Sequence, residues 1–190
     1  MKKKLIIISF LFLWLGIENS FAQDRKTFLG AGYGIETNVG FHGLQWTLER
    51  VLFQKNRFSV LGSYNFFHSI DLPDRRYDFA KQYFHAHQFD LEAQYVFNKS
   101  ENGNGFRVHG GLVLAPTRYQ YVWFFEMTGG VVRNVRLETQ PFEIQRGIKL
   151  GVGYQFSAGR SPIVLDLSMR STTLFPREPN MVHLGVKVGF

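Results

Sequence analysis

The chain has 190 residues, a formal charge of +7 and no cysteine. That is the length of one domain, and the missing cysteine excludes a lipoprotein anchor, a disulfide framework and thiol chemistry. With 20 phenylalanines and 19 glycines spread over many short alternating segments, the composition favours a β-barrel over a helical domain.

Met1 to Lys4 is basic, Leu5 to Ile17 is apolar, and Ser20-Phe21-Ala22 supplies small residues three and one before a cleavage point. This is the layout of a secretory signal peptide, too short for a comfortable membrane span. The expected division is a signal peptide over 1–22 and a barrel domain over 23–190. Cleavage removes three lysines and Glu18, taking the charge from +7 to +5. In an exported protein a basic balance points to phosphate-bearing lipid head groups and away from nucleic acid. No second long apolar run follows, which excludes a helical membrane protein.

The first strand expected, Thr27 to Ile35, puts Gly30, Gly32 and Gly34 on one face and Leu29, Ala31, Tyr33 and Ile35 on the other. Alternate glycines suit a narrow lumen or a close backbone approach. No helical pattern follows, so the GxGxG run does not read as dinucleotide-binding. From about Phe41 to Phe53, Leu44, Trp46, Leu48 and Leu52 oppose Gln45, Thr47 and Glu49, with Arg50 near the strand end on the outer face. Gln54 to Arg57 is a polar turn. The third strand, about Phe58 to His68, carries Phe58, Val60, Tyr64 and Phe66 outward, and Ser69 to Lys81 is a charged loop. The fourth, about Tyr83 to Asn98, sets Phe89, Leu91, Ala93, Tyr95 and Phe97 against Gln88, Asp90, Glu92 and Gln94. Lys99 to Gly105 is a turn by composition.

The fifth strand starts at Phe106 and alternates Phe106, Val108, Leu112 and Leu114 with Arg107 and His109. The sixth ends on Ile144, Ile148, Leu150, Val152, Tyr154 and Phe156 against Gln145, Gly147, Lys149, Gly151, Gly153 and Gln155. Ser157 to Ser161 is short. The seventh, Ile163 to Ser171, sets Ile163, Leu165, Leu167 and Met169 against Val164, Asp166, Ser168 and Arg170. A loop with Pro176 and Pro179 leads to the eighth, Met181 to Phe190, whose Val182, Leu184, Val186, Val188 and Phe190 alternate with His183, Gly185, Lys187 and Gly189.

A two-residue rhythm gives each strand one apolar and one polar face, and about ten tilted residues cross a bilayer's hydrocarbon. Short and long connections alternate, except between the first two strands, as they do in outer-membrane barrels with both termini inside. The fold class expected is all-β: an eight-stranded antiparallel up-and-down transmembrane β-barrel. A soluble lipocalin-type barrel would bury its apolar set, whereas the inner set here is Glu, Asp, Arg, Lys, Gln and Gly. The last strand resembles the terminal strand of Gram-negative outer-membrane β-barrels, which closes on an aromatic residue read by the barrel-assembly machinery. That resemblance makes Phe190 the assembly signal. The whole resembles the small barrels of OmpA/OmpX-like architecture.

On the lumen face fall Glu49, Asp90, Glu92, Arg107, Glu143, Lys149, Asp166, Arg170 and Lys187. A buried charge without a partner is costly, so they are expected to form a packed ionic network. The pairs anticipated are Glu92 with Arg107 and Asp166 with Lys149 or Lys187. Tyr119, Tyr121, Trp123, Phe124 and Phe125 lead to Thr128-Gly129-Gly130, and a return run carries Arg133 and Arg136. Two β-prone runs around Gly-Gly read as a hairpin extending strands 5 and 6 beyond the membrane. It resembles the protruding sheet of OmpX-type barrels, whose exposed edge is thought to capture partner strands. The hairpin is therefore the expected contact element for an envelope protein partner. Arg146, with Arg133 and Arg136 above it and Asp74, Arg75 and Arg76 on the neighbouring loop, is the expected lipopolysaccharide contact.

Catalysis would need a His–Ser–acid arrangement at the outer rim. Its candidates are His68-Ser69, His85 and His87 with Asp71 or Asp78. His85-x-His87 has one-face spacing for a metal but lacks a compelling third ligand. No cofactor or metal is implied. The expected function is a non-porin outer-membrane barrel, not an enzyme, with a structural, adhesive or complex-subunit role; the alternatives are a lipid A-modifying enzyme and a narrow channel.

Overall fold

The computed structural model describes residues 27–37, 40–69, 82–98, 100, 104–157, 164–175 and 180–189. The signal-peptide segment, the 70–81 loop with Asp71, Asp74, Arg75, Arg76 and Asp78, and the assembly residue Phe190 lie outside the described residues. Eight strands follow in chain order: β1 (Thr27–Glu36), β2 (His42–Lys55), β3 (Phe58–Ser69), β4 (Tyr83–Phe97), β5 (Gly105–Thr128), β6 (Val131–Ser157), β7 (Val164–Phe175) and β8 (Asn180–Gly189). Each pairs antiparallel with its sequence neighbour, and β1 pairs with β8 to close the cylinder. β7 runs to Phe175, past the Ser171 expected, because its last residues stay paired with Arg146–Leu150 of β6.

Closure fixes the strand tilt. Partners followed from Leu44 through Tyr33, Leu184, Met169, Val152, Val108, Tyr95 and Phe58 lead back to β2 at Lys55, eleven residues beyond the start. One of these belongs to the bulge between Val51 and Phe53. A stagger of that size in eight strands tilts them by roughly 40°. At the turn end Asn56 and Asn98 take positive φ (56° and 47°), a conformation asparagine tolerates better than most residues.

Side chains alternate outward and inward along every strand. Outward stand Leu91, Leu112 (67 % exposed), Leu150 (64 %), Leu167 and Leu184. So broad an apolar exterior has no place in water and is the surface a bilayer covers. Near the turn end an aromatic girdle is built from Tyr95 and Phe97 (4.9 Å), Phe106, and Tyr154 with Phe156 (4.6 Å).

The interior is layered, which corrects the expectation of a wholly polar lining. At the hairpin end Phe67, Phe84, Tyr119, Leu174 and Met181 pack together, with Phe41 and Tyr121 against them. The Phe84 ring meets Phe67 at 5.8 Å, Phe41 at 6.0 Å and Tyr119 at 6.3 Å. At the turn end Phe28, Val51 and Leu61 form a second apolar cluster. The charged residues lie between these caps. Extending each strand's inward parity to its ends finds most of the cap: Phe84 shares a face with Asp90, and Tyr119 with Arg107.

Candidate functional site: a sealed ionic lumen and a projecting hairpin

Among the described residues, six strands supply eight charges to the middle layer of the lumen, four of each sign; a ninth buried charge, Glu36 of β1, lies at the hairpin end opposite Met181. Glu49 on β2 accepts from Arg170 Nη2 on β7 and Lys187 Nζ on β8, each at 2.6 Å. Asp166 on β7 pairs with Arg107 on β5 and lies 3.6 Å from Lys187. On β4, Asp90 pairs with Lys149 of β6 and accepts from Asn65 Nδ2 (2.5 Å) and Ser63 Oγ (2.9 Å). Glu92 is bonded to His109 Nδ1 (2.5 Å), with Arg170 at 3.4 Å and Lys149 at 3.6 Å. Every one of these charged groups is buried. The layer is balanced, so each carboxylate removed from water is compensated by a cation.

Of the pairs anticipated across adjacent strands, Asp166 with Lys187 forms, at 3.6 Å, while the remaining partners differ. Arg107 meets Asp166 and Gln94 Oε1 (2.9 Å), Glu92 meets His109, and Lys149 meets Asp90. Glu143 stands apart at the hairpin base, half-buried and accepting from Gln140 Nε2 at 2.8 Å. Glycine explains the skipped strands. A Cβ on Gly30 of β1 would strike the Lys187 side chain that leans over it toward Glu49. A Cβ on Gly153 of β6 would sit 3.1 Å from Arg107 Nε, on the way to Asp166. Gly151 likewise leaves the space that the His109 ring fills. The inward glycines are the floor across which long side chains reach the second strand along.

His109 and His183 share the lumen parity and complete the layer. A cavity of about 20 Å³ is bounded by Gln45, Thr47, Ser168, Arg170, His183 and Lys187.

Above the barrel, β5 loses β4 after the Tyr83–Gln120 pair, and β6 gains β7 only at Arg146–Phe175. Among the described residues, Val131 to Gln145 therefore has β5 as its sole strand partner. The tip is a two-residue turn, Gly129 (φ 61°) and Gly130 (φ 79°), flanked by the Thr128–Val131 pair. Both angles positive is the type I′ geometry that matches strand twist and admits glycine without strain. Phe124, Arg133 and Arg136 are exposed, with the Arg136 guanidinium over the Phe124 ring at 5.9 Å; Phe125 is half-buried. The side chain of Trp123 lies outside the described residues. Tyr119 and Tyr121 do not project as contact residues: Tyr119 is 9 % exposed within the apolar cap, and the Tyr121 hydroxyl donates to Glu138 at 2.9 Å.

This architecture recurs in solved membrane proteins. The chain is similar to Neisserial surface protein A, with a TM-score of 0.64, 13 % identity and coverage of 90 % of this chain and 98 % of that one. The eight-stranded outer-membrane barrel is the fold of this chain. A major outer membrane protein from Thermus thermophilus matches with a TM-score of 0.56, 13 % identity and coverage of 88 % and 99 %. Ail, the attachment invasion locus protein of Yersinia pestis, matches at 0.50, 13 % and coverage of 89 % and 100 %. No family model matches the sequence, and no curated protein does.

In the outer-membrane barrel the outward residues can be given a height. Ten residues separate Phe156 in the lower girdle from Arg146, which at about 3.3 Å each and roughly 40° tilt is about 25 Å. Arg146 is exposed at that level, between Leu114 and Phe175 on its neighbours. His68 stands ten residues above Phe58 on β3, at the same rim. Ser69 points the opposite way, its Oγ accepting the Phe84 N–H at 2.8 Å inside the barrel. His68 and Ser69 thus occupy opposite sides of the wall. His87 donates to or accepts from the Tyr64 hydroxyl through Nδ1 (2.7 Å) and packs on Phe66. No group of three or more His, Cys, Asp or Glu gathers for a metal among the described residues.

Proposed function

We propose that this chain is a non-porin barrel of the Gram-negative outer membrane whose work is adhesion or assembly contact, done by the β5–β6 hairpin outside the cell. One observation carries the reading: the β6 segment Val131–Leu137, which among the described residues has β5 as its one strand neighbour and bears exposed Val135 and Leu137. A strand edge with a neighbour on one side, set beside apolar side chains, is what an added partner strand recognises. The capped lumen with its charge-balanced middle layer supports a plug and argues against a narrow channel. Support for a non-enzymatic role comes from His68 and Ser69 facing opposite sides of the wall. Arg146 at the rim is the residue we assign to lipopolysaccharide phosphates, with Phe190 as the segment end presented to the assembly machinery during insertion.

Removing Val122 to Arg136 tests the contact role, since it joins Tyr121 to Leu137 and leaves all the barrel pairs below intact. The shortened protein should keep its heat-modifiable gel mobility while cells displaying it lose surface attachment and envelope co-purification. Unchanged attachment and co-purification would reject the hairpin as the contact element.

A further inference from the structure

We infer that His68 and His85 form a two-nitrogen binding site for a borderline divalent transition metal (copper(II), nickel(II) or zinc(II)) on the outer wall at the hairpin-end rim. The two residues are direct cross-strand partners on β3 and β4. Their Nδ1 atoms lie 3.3 Å apart, with ring centroids at 4.4 Å and planes at 81°. Two imidazole nitrogens held at about 2.05 Å from one tetrahedral ion are themselves about 3.3 Å apart. The two Nδ1 atoms share a hydrogen bond at this spacing, and a metal ion takes the place of its proton once the donating ring carries its hydrogen on Nε2. Both residues sit on regular strands of a closed wall, which is the rigid mounting a binding site needs.

Packing limits the other motions of the rings. The His85 ring meets the edge of Tyr83 at 5.3 Å, and Phe66 stacks beside His68 at 6.2 Å. Arg118, opposite His85 on β5, has its guanidinium over the Tyr83 ring at 5.5 Å. His87 is on the same face with Nδ1 bonded to the Tyr64 hydroxyl at 2.7 Å, whereas His68 and His85 already hold their Nδ1 atoms at ligand spacing, so the cross-strand pair is the ligand set. Among the described residues two ligands are supplied, and water can fill the other positions. Neutral imidazoles favour this class of ion over calcium or magnesium, which take oxygen ligands.

The test uses the untagged protein purified from membranes in detergent. Titrating copper(II) and reading its electron paramagnetic resonance should show one ion per barrel with splitting from two nitrogens. Zinc(II) titrated by calorimetry should bind more weakly than copper(II), and calcium(II) should not bind at the site. His68→Ala and His85→Ala should each remove one coupled nitrogen and weaken zinc binding by at least about tenfold, while His87→Ala changes neither. Heat-modifiable mobility reports folding, and a variant that loses it is replaced by His68→Gln or His85→Gln. A wild-type spectrum without two-nitrogen coupling, a His68→Ala/His85→Ala protein that binds as tightly as wild type, or an equal loss in His87→Ala would overturn the assignment.

Discussion

At the scale of single residues, the lumen is organised by what is small as much as by what is charged. Gly153 lies beneath Arg107, so Gly153→Val should push the guanidinium off Asp166 and cost about 1–3 kcal/mol. A lower urea midpoint for unfolding from micelles would register it. Glu49 is the sharper probe, because Arg170 and Lys187 both end on its Oε2. Glu49→Gln leaves those two cations short of an anion and should destabilise by about 3–5 kcal/mol, with Lys187→Met in the same chain restoring part of the loss. If Glu49→Gln unfolds at the wild-type midpoint, the ionic layer contributes nothing to holding the barrel. Parity along the strands made the inward placement of these groups readable from sequence. Pairing between neighbouring strands was legible for Asp166 with Lys187, but the pairs that skip a strand were not, because they depend on lumen width and on which glycines permit a side chain to cross.

The hairpin shows the same division at the scale of an element. Gly129-Gly130 between two β-prone runs marks the turn, and the two positive φ values show why both are glycine. Taking Tyr119 to Phe125 as one projecting aromatic group hid the sidedness of the strand. Tyr119 and Tyr121 keep the inward parity of Arg107 and help close the hairpin-end cap, whereas Phe124 stands outside. On β6 the parity resets where Thr117–Glu143 gives way to Tyr119–Gln140, so Gln140 and Glu138 turn inward in a way no simple alternation reveals. Beyond the barrel the ribbon is two-stranded and depends on its turn. Replacing both turn glycines by valine should open the tip. Trypsin should then cut after Arg133 and Arg136 about tenfold faster, about 1.4 kcal/mol of lost protection, with the barrel's gel mobility retained. Equal cleavage rates in the two proteins would mean that the turn does not hold the ribbon.

For the whole molecule, three layers inside and one continuous belt outside follow from eight repetitions of a two-residue rhythm. Strand number, order and lipid-facing set were legible because each strand carries its own record of which side is which. The two interior caps were less so: Phe28, Phe67, Phe84, Leu174 and Met181 sit at strand ends, where an inward apolar residue breaks the apolar-out rule to keep water from the charges. The belt is the claim on which the rest depends, and the cysteine-free chain lends itself to a direct reading of it. Single cysteines at Leu91, Leu112, Leu150 and Leu184, spin-labelled in phospholipid vesicles, should relax strongly with dissolved oxygen and weakly with a water-soluble nickel chelate. A label at Val131 on the hairpin should show the reverse. Labels at the four leucines that respond to the chelate and ignore oxygen would place those side chains in water and contradict the barrel as described.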